Sequence, residues 1–218
     1  MAVVVDRRVE RSRTAILSGA ATVFLRDGYD RASVDDIARE SGVVKRTVYN
    51  VFDDKETLFR ETIAVSIEVA ERFSAELAAE TATMRVASRD IPRVARRLAF
   101  AVLRGPVLPL RRLMISEARR FPGLAAEYRR RAPDAVLRAL SAALSALNES
   151  GQLKIDDADI AAEHLAFLIM GADMERGVFN SGTVSDARVR ARADAGAAAF
   201  LRAYAAKDGD VAPSLSPG

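Results

Sequence analysis

Residues 45–50, KRTVYN, bring lysine, arginine, threonine, tyrosine and asparagine together around a single valine. Those are the side-chain types by which duplex DNA is recognised. Phosphates call for cations with little demand on geometry. Base edges call for planar forks and amides, arginine to guanine and asparagine to adenine. Arg46 and Asn50 stand four apart, so a helix would place them on one face to read bases. Lys45 and Tyr49, also four apart, suit the phosphate backbone. Other chemistry finds little support. The chain has no cysteine, which excludes disulfides, thiolate nucleophiles and zinc–thiolate sites. Its one histidine, His164, has no carboxylate motif beside it, and no glycine-rich phosphate loop or metal-ligand spacing occurs. Two competing readings remain: an all-helical enzyme, and a helical scaffold whose basic faces meet membranes or partner proteins. The arginine-rich stretch 85–104 would serve the scaffold, but Leu98 and Val102 within it have the spacing of core residues.

The elements around these residues follow from caps and periodicity. Ser33 with Asp36 three positions on reads as a helix N-cap and its partner. Val34, Ile37 and Ala38 then form one apolar face, and Gly42 ends the helix in the left-handed conformation. Val44, Val48 and Phe52 recur every four residues and define the inner face of a second helix, which leaves 45–47 and 49–50 outward. Two helices joined by a tight turn, the second exposing basic and amide groups, form a helix-turn-helix. Ala38 is small enough to let them approach. A preceding helix, with Ile16, Ala20, Val23 and Phe24 inward and Asp27-Gly28 at its end, makes a three-helix unit. Ile16, Phe24, Ile37, Val48 and Phe52 are its expected core. Arg7, Arg8, Arg11 and Arg13 precede it, either as a solvated helix start or as an arm for phosphates or the minor groove.

Beyond it, Asp54 caps a helix running to about Glu80, too long for the small unit alone and therefore a connector. Residues 81–90 read as a loop, and Asp90 as the cap of a helix with Pro92 in its first turn. Further helices are expected at 109–120, 123–149 (kinked or divided at Pro133), 157–177 and 185–206. The polar tail 207–218 is expected to be disordered. The fold class is all-α, with about nine helices and no stretch that alternates like a strand. Half the residues are hydrophobic and 29% are charged, a globular balance. The net charge of +3 permits nucleic acid without demanding it, because arginine is spread along the whole chain. No segment approaches the roughly 18–20 apolar residues of a membrane span, and a soluble cytoplasmic protein is expected.

The motifs ILSGAATVFLRDGYD, ASVDDIARESGV and KRTVYNVFDDKETLF, in this order, resemble the DNA-binding domain of the tetracycline-repressor (TetR) family of bacterial transcriptional regulators. More loosely, ISEARRFPGLAAEYRRR and IDDADIAAEHLAFLIMG resemble family members' C-terminal halves. The resemblance implies a DNA-binding domain at 10–70 and an effector-binding and dimerisation domain at 71–206. It implies a homodimer on a palindromic double-stranded operator, released when a small, largely apolar effector binds, with no cofactor and no enzyme activity. By position, Lys45, Arg46, Thr47, Tyr49 and Asn50 would face DNA, while Lys55 and Ser33 would meet phosphates. Phe73, Leu77, Leu98, Leu113, Met114, Phe121, Tyr128 and Leu137 would line the effector pocket, unless they simply form the core. The alanine-rich faces of 157–177 and 185–206, with His164, Leu165, Leu168, Phe200 and Leu201, suit a four-helix dimer interface, internal packing being the alternative. One departure stands out. Family members usually carry serine or threonine where this chain has Val44, and the lost cap costs roughly 1 kcal/mol.

Overall fold

Apolar residues at helical spacing, punctuated by caps and glycines, produce a chain of helices in the computed structural model. It describes residues 7–179, 182 and 184–206. Helices α1 (Arg7–Arg31), α2 (Val34–Glu40) and α3 (Lys45–Val51) are followed by the long α4 (Lys55–Thr81). After α5 (Ala87–Arg104) come α6 (Val107–Glu117), α7 (Pro122–Arg131) and α8 (Pro133–Glu149). Then α9 (Ala158–Ala166) runs through a π turn (Phe167–Gly171) into α10 (Ala172–Phe179), and α11 (Asp186–Tyr204) is the last. All nine expected helical stretches are present among the described residues, and two of them are divided. Pro133, with no N–H to donate, opens α8 at its first position and separates it from α7. The π turn interrupts the stretch expected at 157–177. The expected tail, 207–218, lies outside the described residues.

The chain forms two compact units. The first runs to Glu71 and takes in Pro109–Arg131; the second comprises Arg72–Leu108 and the chain from Ala132 onward. Residues 109–131 thus group with the N-terminal helices. In the first unit, Ile16, Phe24, Ile37, Val48 and Phe52 are all buried, as expected. Behind them lies an aromatic cluster. Phe24 and Phe59 meet edge to face at 4.9 Å, Tyr29 meets Phe59 at 5.0 Å, and Phe121 meets Tyr29 at 5.2 Å. These edge-on contacts suit the quadrupoles of the rings.

The second unit is organised by α5, whose inward face (Ile91, Val94, Ala95, Leu98, Ala99, Val102) packs with α11 and the π turn. This helix starts earlier than the sequence suggests. It begins at Ala87, and Asp90 caps it from inside: its Oδ2 accepts from the N–H groups of Arg85 at 2.8 Å and Val86 at 3.0 Å. Gln152 completes the cap, accepting from the Ala87 N–H at 2.8 Å. Pro92 consequently sits in the second turn rather than the first. At the far end, Asp173 is buried between α10 and α11. Its Oδ1 accepts from Arg176 at 2.9 Å and from Arg188 at 2.7 Å, with Arg192 3.3 Å from Oδ2.

Candidate nucleic-acid interface

The turn between α2 and α3 is fixed at both ends by backbone chemistry. Ser33 caps α2, its Oγ accepting from the Asp36 N–H at 3.0 Å and donating to the Asp36 carboxylate at 2.5 Å. That hydroxyl bond, then Arg39, holds the Asp36 carboxyl below its usual range. At the other end Gly42 takes φ +66, and its N–H reaches the Arg39 carbonyl while that of Val43 reaches Ala38. This is the paired closure of a Schellman motif, which a side chain at Gly42 would strain. Helix α1 presses on the same corner: a Cβ added to Gly19 would lie 2.9 Å from the Ser41 backbone nitrogen. Ala38 is buried here, as its size suggested.

From this corner α3 projects with only Val48 buried. Lys45, Arg46, Tyr49 and Asn50 are exposed, and Thr47 is half-buried. Val44 is the N-cap residue and makes no side-chain cap, as its β-branched hydrocarbon dictates; it is largely exposed. The remaining expected DNA-facing residues are more constrained. The single proton of the Ser33 hydroxyl is committed to Asp36, so a phosphate would have to displace that bond. Lys55 is half-buried, its Nζ 3.2 Å from the Asp30 carbonyl and 4.6 Å from the Tyr29 ring centroid. An ammonium has three donors, so others stay available. Arg8 and Arg11 are exposed on α1, while the Arg7 side chain lies outside the described residues. Arg13 turns inward instead, pairing with Glu61 and stacking 5.0 Å over Phe52.

Two relationships escaped the sequence reading. Asp35 is exposed at the start of α2 and its Oδ2 is 2.9 Å from Lys45 Nζ, which raises the lysine's pKa. Arg120 lies 2.6 Å from Asp30 and 4.2 Å from the Tyr29 ring centroid. Both join residues distant in sequence, and no local pattern announces them.

The residues expected to line an effector pocket fall in separate units. Leu113, Met114, Phe121 and Tyr128 are buried in the first, and Leu77 and Leu98 in the core of the second, with Phe73 and Leu137 packed against that core. Phe121 belongs to the aromatic cluster, in contact with Tyr29 and Phe59. Burial in Tyr128's surroundings pushes its phenol upward, against the pull of Arg111. Among the expected interface residues, Leu165 and Phe200 are buried in their own unit's core and so present nothing to a second chain. Leu201 is half-buried, whereas Leu168 and His164 are exposed, His164 Nδ1 lying 2.6 Å from the Tyr204 hydroxyl. Ile160 and Phe167 are also exposed, so that Ile160, His164, Phe167 and Leu168 form one row at helical spacing.

Comparison with known proteins places both halves. Residues 16–62 match the family of bacterial regulatory proteins of the tetR type, and residues 89–206 match the AefR-like transcriptional repressor C-terminal domain. No curated protein matches significantly. Among solved structures, a TetR-family transcriptional regulator of Mesorhizobium loti is 29% identical with a TM-score of 0.78, over 92% of this chain and all of that one. The flavonoid-responsive regulator FrrA is 26% identical with a TM-score of 0.62, over 90% of this chain and 98% of its own. A TetR regulator of Agrobacterium tumefaciens is 25% identical with a TM-score of 0.65, over 90% and 95%.

Proposed function

The chain belongs to the TetR family of bacterial transcriptional regulators, and from that premise we propose that it is a dimeric repressor released from a palindromic operator by a small, largely apolar effector. It is a regulator with a DNA-binding N-terminal domain, not an enzyme. The observation that carries the reading is α3: Lys45, Arg46, Tyr49 and Asn50 stand exposed on a helix whose inner side is anchored by Val48 and whose entry is locked by the Gly42 turn. Arg46 and Asn50 read bases, and Lys45, Tyr49, Lys55 and the exposed Arg8 and Arg11 of α1 meet the backbone.

The dimer reading rests on a second face. Ile160, His164, Phe167 and Leu168 form an exposed row beside the π turn, and the outer side of α11 offers Ala187, Ala191, Ala195 and Ala198. Large apolar groups facing a strip of alanines suit close helix packing across a twofold axis. The effector reading leans on the apolar C-terminal core and on the neighbour named as flavonoid-responsive. An effector that prefers the DNA-incompatible state must weaken operator binding by the same coupling free energy.

A gel shift and footprint on the DNA flanking its own gene test the proposal. A discrete palindromic footprint whose affinity falls steeply with salt is expected. Affinity that stays flat from low to moderate salt would sink the DNA-reading role.

A further inference from the structure

The surface that carries the reading helix also carries a carboxylate that the fold does not need. Asp35, in the first turn of α2, is 61% exposed, and its partner Lys45 on α3 is 51% exposed, at 2.9 Å. An ion pair this open to water adds little to stability. The two helices are already held by Ile37, Ala38 and Val48 and by the bonded turn at Gly42. The positive end of α2 would favour an acid at Asp35. That accounts for the acid but not for its engagement with a lysine of the reading helix. Its neighbour Asp36 satisfies the same helix end while bonding Ser33 and Arg39.

We propose that Asp35 is a positioning residue that restrains DNA affinity through Lys45, holding one cation of the reading surface away from the phosphate backbone. The inference rests on the DNA-binding reading above and adds to it a division of labour. Arg46 and Asn50 set the sequence, while the Asp35–Lys45 pair sets the sequence-independent strength of binding. The physical basis is counterion release. A free lysine that meets a phosphate displaces a condensed cation, and affinity gains accordingly. A lysine already neutralised at 2.9 Å gains less, because the phosphate must compete with the carboxylate. Such a restraint keeps a regulator from being held on random DNA, where base contacts contribute nothing.

The test is fluorescence anisotropy over a series of salt concentrations with two probes: a labelled mixed-sequence duplex and the duplex flanking the protein's own gene. The full-length protein is compared with Asp35→Asn, Lys45→Ala and the double variant. Asp35→Asn is expected to bind both duplexes several-fold more tightly and by the same factor. Its log affinity should fall more steeply against log salt, by about 0.9 for each lysine set free. In the Lys45→Ala background the same substitution should change nothing. Unchanged or weaker binding by Asp35→Asn overturns the proposal. So does a gain that survives without Lys45, since the carboxylate would then repel DNA directly, or a gain confined to one duplex. Wild-type protein that binds neither duplex in a salt-dependent way overturns the DNA-binding reading itself, and this inference with it.

Discussion

The guanidinium of Arg120 sits 4.2 Å from the centroid of the Tyr29 ring while bonding the Asp30 carboxylate at 2.6 Å. The turn before α7 is thereby joined to the residues just ahead of the helix-turn-helix. Its neighbour Phe121 is buried against Tyr29 and Phe59. The two contacts differ in weight. A partly exposed cation over a ring is worth about 0.5–1 kcal/mol, whereas emptying a buried phenylalanine site costs about 3–5 kcal/mol. Denaturant titration should therefore show Phe121→Ala as several times more destabilising than Arg120→Ala. Equal losses would mean that the cation, not the buried ring, holds this turn.

Val44 offers a gain rather than a loss. The residue occupies an N-cap with extended backbone, φ −84 and ψ 149, which serine adopts freely. Val44→Ser should supply the missing acceptor at the start of α3 and raise stability by roughly 1 kcal/mol. The thermal midpoint should rise, and operator affinity should rise with it as the hydroxyl becomes available to a phosphate.

Close packing at the α2–α3 corner predicts intolerance of small additions. Gly19→Ala would drive a methyl to 2.9 Å from a backbone nitrogen of Ser41, and Ala38→Leu would overfill a buried site. Overpacking of this kind costs typically about 1–3 kcal/mol. Both variants should lose operator affinity out of proportion to any loss of helical circular dichroism, because they change the angle of α3. Normal operator affinity for Ala38→Leu would show that the helices are placed otherwise.

Acid stability should depend on Asp90. The Arg89 side chain, then the Val86 and Arg85 N–H groups, hold its carboxyl well below the ordinary range. A depressed folded pKa contributes stability that is complete above the unfolded value, about 3.9, and is lost as pH falls below it. Asp90→Asn should thus lower stability at neutral pH and flatten the acid limb of the stability–pH curve below about pH 4. Chemical denaturation at stepped pH checks both effects.

What the sequence disclosed and what it withheld divide along locality. The Ser33 cap, the Gly42 turn and the inward trio Val44, Val48 and Phe52 are signals within a few residues, and all but Val44 appear as expected, Phe52 and Val48 buried. Val44 falls instead at the exposed cap position, one residue ahead of the helix. Periodicity shows that Leu165 and Phe200 are buried but not against which chain, so an interface expectation became core. A sequence with Asp90 before Pro92 looks like a helix start because proline favours first turns; the carboxylate reaching back to Arg85 and Val86 was invisible without coordinates. The Asp35–Lys45 pair spans ten positions across a turn, and only the angle between α2 and α3 brings it together.

The π turn at Phe167–Gly171 sets the phase of everything that follows it. It accommodates one more residue than an α-helical turn, and each helical residue advances the azimuth by about 100°. Asp173 faces Arg188 and Arg192 only in the present phase. Loss of a single residue from this stretch would swing the carboxylate away from its arginines and carry α10 round with it. Substitution here changes a side chain; deletion rewrites the reading frame of a surface.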